Sequence, residues 1–178
     1  MSNKNLITQE ESTELTLRKA TDIINRTNKI LKNSKKELVA NPDIMIIDGK
    51  MWQKETVEKE MTWDEAMEYA KNLRLGGYDD WRLPTIDELG EIIENCGAIK
   101  TNRKNKEFYN LIDKNKDNKF YQSCYKERGF SKFFYWSATS NIIETNNRRS
   151  TWVADFKLGY ISNHPFERDS NYVRCVRG

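Results

Sequence analysis

Apolar side chains return every seven residues near the start of the chain, at Leu17, Ile24, Leu31 and Leu38. Ile23 and Ile30 widen this stripe, and Ala20, Thr27 and Ser34 stand three positions after its first three members. The spacing predicts an amphipathic helix with a seam of roughly three heptads. Thr8 with Glu11 reads as a capping box at its start, and Asn41-Pro42 ends it, because a residue before proline avoids the helical region. About 30 helical residues would reach ~45 Å. The apolar face is narrow and lacks aromatic bulk, so the helix needs a partner. Three partners stay open: a second copy, in a coiled coil through Leu17, Ile24, Leu31 and Leu38; the chain's own domain; or a different protein. The small polar Thr27 and Ser34 count against the coiled coil.

The pattern changes near residue 43. Asp43 to Gln53 is an apolar run, an Asp-Gly turn and a second short run, which signals a β-hairpin. Thr62-Trp63-Asp64-Glu65 is a capping box with Met61 as its staple. The helix it opens carries Ala66, Met67, Ala70 and Leu73 and stops at Gly76. Thr85-Ile86-Asp87-Glu88 is a further capping box, and its helix carries Ile86, Leu89, Ile92 and Ile93 to near Gly97. Between them, GGYDDWRLP connects the helices, with Trp81 and Leu83 turned to the core and Arg82 tied to Asp79, Asp80 or a later carboxylate. A cluster of carboxylates beside an arginine imitates an acid/base site, but this stretch offers no nucleophile or histidine.

Residues 98 to 134 are polar and read as a solvated insertion pinned by Phe108, Tyr109, Leu111, Phe120 and Tyr121. Asp113, Asn115 and Asp117 have the spacing of the first calcium-loop ligands. Asn118 replaces the turn glycine and Cys124 the closing glutamate, so no metal is expected. The last third is strand text: Tyr135 to Thr139, Thr151 to Phe156, a hairpin into Tyr160-Ile161-Ser162, and a closing strand Asn171 to Arg177. Tyr172, Arg174 and Val176 should share one face of that strand. Two polar loops fall between the strands: Asn141 to Ser150, with Arg148 and Arg149, and Asn163 to Ser170, with His164 and Arg168.

These elements predict an α+β domain over 42–178 preceded by a helical appendage over 1–41. All five tryptophans follow residue 50 in a chain of 178 residues, which places the core in the second part. Thirty basic residues against 27 acidic ones give a net charge of +3, too balanced for a nucleic-acid binder. No apolar run is long enough to span a bilayer, and MSNKNLITQEES lacks a hydrophobic signal segment. As written the chain reads as cytoplasmic, or extracellular if a leader or anchor was removed. Cys96, Cys124 and Cys175 are an odd set without metal-ligand spacing, which suits a reducing compartment.

Several blocks occur in a telling order: Trp52-Gln53, Met61-Thr62-Trp63-Asp64-Glu65-Ala66, Gly76 to Thr85, Tyr135-Trp136-Ser137-Ala138-Thr139 and Val173 to Gly178. In that order residues 44 to 178 resemble the C-terminal domain of the Legionella collagen-like protein, also called domain of unknown function 1566. The resemblance implies a C-type-lectin-like fold, with two helices beside small antiparallel sheets and the chain ends close together. It also implies a recognition or adhesin role, with sulfated glycosaminoglycan as one ligand class. Secreted members often carry a cysteine in the first helix that pairs with the one on the last strand. Here that helix reads Glu68-Tyr69-Ala70-Lys71, which leaves Cys175 without this partner.

The leading expectation is a non-catalytic binding module. Its ligand face would be Arg148, Arg149, His164 and Arg168 with Tyr160, since guanidinium forks suit sulfate, phosphate or carboxylate. A protein or an acidic glycan would be its partner, with no nucleic acid, no membrane insertion and no cofactor. The alternative is a structural or assembly component of the tail-fibre type, joined through the N-terminal helix. A third reading, an oxidoreductase like the formylglycine-generating enzymes, needs a close cysteine pair to handle copper, and Cys175 has no cysteine neighbour in sequence.

Overall fold

The computed structural model describes residues 3–39, 41–102, 104–143, 148–165 and 169–178, without side chains at 3–12, 33–39 and 141–149. The chain divides into two compact units, Met1–Asn41 and Pro42–Gly178. The first holds one helix, α1 (Asn3–Val39). It begins well before Thr8, so the expected opening cap falls inside the helix.

The second unit is α+β, with two three-stranded antiparallel sheets among the described residues. Strands β1 (Ile44–Ile47) and β2 (Lys50–Gln53) form the expected hairpin. Its turn residues Asp48 and Gly49 have φ of 50° and 83°, the left-handed pair that a two-residue hairpin demands. Strand β6 (Val176–Arg177) pairs with β2, giving the order β1-β2-β6 and joining the two ends of the domain.

Helices α2 (Trp63–Asn72) and α3 (Ile86–Asn95) both open on complete capping boxes, Thr62 with Glu65 and Thr85 with Glu88. Helix α3 buries Ile86, Leu89, Ile92 and Ile93. On α2, Ala66 and Ala70 are buried but Met67 is exposed, so its inward face is narrower than expected.

The polar stretch after α3 is not a solvated loop. It forms α4 (Phe108–Asp117) and α5 (Lys119–Glu127). Phe108, Leu111 and Asn115 of α4 and Tyr121 and Tyr125 of α5 point inward, at helical spacing. Tyr109 and Phe120 are exposed rather than part of the core. Asn118 ends α4 and accepts the Tyr121 N–H at 3.1 Å to cap α5. Asn115 bonds the backbone of Ile99 and Leu158, so the calcium-loop spacing serves a helix and its docking. A disulfide between Cys96 and Cys124, Cα atoms 5.4 Å apart, joins the end of α3 to α5. The expectation of reduced thiols is overturned for these two.

Strands β3 (Phe134–Ile143), β4 (Arg148–Asp155) and β5 (Tyr160–Pro165) form the second sheet in sequence order. The ladder runs past the expected strand ends, with Ile143 opposite Arg148 and Ser150 opposite Pro165. Arg148, Arg149 and His164 therefore lie on strands, not in loops, because backbone pairing continues where the side chains turn polar. The closing segment is also corrected. Only Val176–Arg177 is strand, while Asn171 to Cys175 bonds in turn to Met61, Phe134, Val57 and Gln53. Val173, Arg174 and Cys175 are all buried, so both faces of this segment are covered.

Two core clusters fill the domain. One gathers Trp52, Leu89, Ile93, Tyr121 and Phe156; the other gathers Trp81, Leu83, Trp136, Val153 and Cys175.

Candidate functional site

The connector between α2 and α3 is built as a tie. Trp81 and Leu83 are 4% and 1% exposed, and the Trp81 indole donates to the Leu75 carbonyl at 3.1 Å. Arg82 between them exchanges two backbone bonds with Val176. Its guanidinium donates twice to Glu88, 2.8 Å each, and Lys50 adds a third donor at 2.7 Å. Burial pushes the Glu88 carboxyl upward, but the Arg82, Lys50 and Thr85 donors outweigh it and hold it down at about 2. Asp80 accepts two bonds from Arg177, whose guanidinium covers the Tyr78 ring at 3.7 Å. Asp80, Arg82 and Glu88 of this motif are thus paired with one another, with Lys50 and with the last strand.

The other polar group lies at one end of the β3-β4-β5 sheet. The backbone of Arg148 and Arg149 opens β4 opposite the end of β3, and His164 faces Thr151 near the end of β5. The register brings these three to one sheet edge, while Arg168 lies outside the described residues. Tyr160 does not join them. It pairs with Asp155 at the opposite end of the ladder and is 6% exposed, packed against Phe108 and Phe134. Its ring belongs to the core. The His164 ring packs on Phe134, with Nδ1 3.3 Å from Asp169 and 3.4 Å from Asn171. This fixes the start of the closing segment against β5.

The family model for the Lcl C-terminal domain matches residues 47–177. The chain belongs to this family. No curated protein matches it. The matched residues cover both capping boxes, the connector, the β3-β4-β5 sheet and strands β2 and β6, and leave α1 and most of β1 outside.

Within this Lcl C-terminal domain, Cys175 is buried among Trp136, Val173 and the ring of Tyr69. Burial pushes its thiol up to about 12, and Cys96 and Cys124 are bonded to each other. Among the described residues no group of three or more His, Cys, Asp or Glu could hold a metal ion. A groove of about 590 Å³ runs between α2 and the connector, past Met67, Lys71, Asp79 and Ala138. Arg82 borders it, with two of its five donors already given to Glu88.

One organising residue escaped the sequence reading. Arg174 is 1% exposed and donates to the backbone carbonyls of Gln53 and Arg128. Its guanidinium lies 4.2 Å from the centre of the Phe130 ring. Burial pulls it down to about 10, so it stays charged at neutral pH. Its two apolar neighbours, Val173 and Cys175, were the available signal for this burial. Gly129 makes room for it: at φ 79° a Cβ there would lie 2.9 Å from Arg174 Nη2 and 2.3 Å from the Lys54 carbonyl oxygen.

Proposed function

We propose that this Lcl C-terminal domain is a non-catalytic recognition module that binds an anionic ligand at the open end of the β3-β4-β5 sheet. The proposal includes a C-type-lectin-like scaffold, supported by two capped helices beside small antiparallel sheets and by the pairing of β2 with β6 across the domain ends. The observation that carries the reading is the register at the sheet edge. Ile143 faces Arg148 and Ser150 faces Pro165, so the chain between β3 and β4 and the chain after β5 leave from the same end. Two arginines open β4 there and Arg168 follows β5. Arg82 of the connector and Arg177 of β6 are each paired with a carboxylate. Arg148 and Arg149 begin a strand at its connection from β3, and guanidinium groups match the oxygens of sulfate or carboxylate.

The test is binding to a sulfated-glycan array and to proteins of the native lysate, before and after replacing Arg148, Arg149 and Arg168 together with alanine. Loss of three charge-assisted contacts should weaken binding at least ~10-fold with the thermal midpoint unchanged. If the triple variant binds as well as the parent, the ligand face lies elsewhere.

A further inference from the structure

Helix α1 presents an exposed apolar stripe. Every residue from Thr13 to Lys32 is exposed, including Leu17, Ile23, Ile24, Ile30 and Leu31, each more than half so. With Leu17, Ile24, Leu31 and Leu38 as the first seam position of each heptad, the second is Ala20, Thr27 and Ser34. Large and small residues therefore alternate along the seam. The flanking positions also differ: Glu14, Thr21, Asn28 and Lys35 on one side, Ile23 and Ile30 on the other.

We propose that α1 pairs antiparallel with α1 of a second copy, with Asn25 and Arg26 next to the two-fold axis. In that register each large seam residue meets a small one: Leu17 meets Ser34, Ile24 meets Thr27 and Leu31 meets Ala20. Complementary volumes allow the close packing that interiors require. Along one flank Glu14 meets Lys35 and Thr21 meets Asn28, and along the other Ile23 meets Ile30. The parallel arrangement fits worse. It stacks Leu17, Ile24 and Leu31 on their own copies but leaves the Ala20, Thr27 and Ser34 layers underfilled. Across its flanks it sets Ile23 beside Asn28 and Ile30 beside Lys35.

Two further observations agree. The Thr27 hydroxyl donates to the Ile23 carbonyl of its own helix at 2.9 Å, so it needs no partner in the seam and its methyl can face Ile24. Lys4, Arg18 and Lys19 balance Glu10, Glu11 and Glu14 in the first half of α1, whereas Arg26, Lys29, Lys32, Lys35 and Lys36 outnumber Asp22 and Glu37 in the second. Antiparallel pairing keeps the two basic halves apart, whereas parallel pairing brings them together.

The test is pulsed dipolar spectroscopy on the full chain carrying a spin label at Ser12→Cys, a position off the seam. Cys96 and Cys124 are bonded and Cys175 is buried, so the label goes to the new thiol. Antiparallel pairing separates the two labels by ~40 Å along the axis, from about 27 residues at 1.5 Å each. A distance under ~25 Å would mean parallel pairing and overturn the proposal. Absence of any dipolar coupling would mean that another protein or the chain's own domain covers the stripe, and would overturn it equally. Ile24→Asp, which places a charge beside the axis twice, should abolish the ~40 Å distance while the domain's near-ultraviolet spectrum is kept.

Discussion

Glu88 shows how one side chain can do two structural jobs. As the third residue of α3 it accepts the Thr85 N–H at 2.8 Å and completes the capping box. The same carboxylate, 7% exposed, takes Arg82 and Lys50. Its acidity is held at about 2 against an ordinary 4.5. The stability it contributes is therefore fully present above pH 4.5 and is lost as pH falls toward 2. The shift corresponds to at most ~3 kcal/mol, and the partly exposed Arg82 and Lys50 reduce this to about 2 kcal/mol through solvent screening. Glu88→Gln should lower neutral-pH stability by about 2 kcal/mol and flatten the acid dependence between pH 4.5 and 2, as read by urea unfolding across that range. An unchanged acid slope would remove Glu88 from this role. The sequence marked Glu88 as a cap and Arg82 as seeking a carboxylate. That they share one ion pair depends on how the extended residues 83–85 lead from Arg82 into α3, which a local residue pattern does not specify.

At the scale of elements, the insertion carrying α4 and α5 is held by Asn115, by Tyr121 and by the Cys96–Cys124 bond. That bond closes a span of 28 residues, for which chain entropy gives ~3–4 kcal/mol. Cys124→Ser should lower the unfolding free energy by about that much, and strong reductant should do the same to the parent but not to the variant. Equal sensitivity of both proteins to reductant would show the bond to be idle. Most elements of the domain were legible beforehand, because hairpin turn, capping boxes and helical spacing are local signals. Helices α4 and α5 were not. Their inward faces consist of a few residues among lysines and asparagines, too sparse for a periodicity to stand out. The extent of β4 was misread for a related reason. Ladder bonds use the backbone, so Arg148 and Arg149 continue a strand that their side chains do not advertise. Tyr160 was misplaced because a tyrosine at a strand start reads alike whether its ring turns toward solvent or toward Phe108.

The whole molecule combines a domain that closes on itself with a helix that does not. Both core clusters consist of residues from Ile44 onward, and the β2–β6 pairing joins the domain's ends without help from α1. Helix α1 has its described side chains exposed, and in the pairing proposed above it would gain its stability by association. The two units should therefore unfold by different rules. A dimeric helix melts at a temperature that rises with protein concentration, whereas a self-contained domain does not. The tryptophans separate the signals, since all five lie after residue 50. Near-ultraviolet dichroism then reports the domain alone, while far-ultraviolet dichroism at 222 nm also reports α1. Over a ~100-fold concentration range the helical loss should move upward in temperature and the tryptophan transition should stay fixed. The fragment 42–178 should reproduce that second transition to within ~1 °C, because removing α1 takes no residue from either cluster. If the tryptophan transition shifts with concentration, or falls when the first 41 residues are removed, then α1 is part of the domain's own stability and the separation drawn here fails.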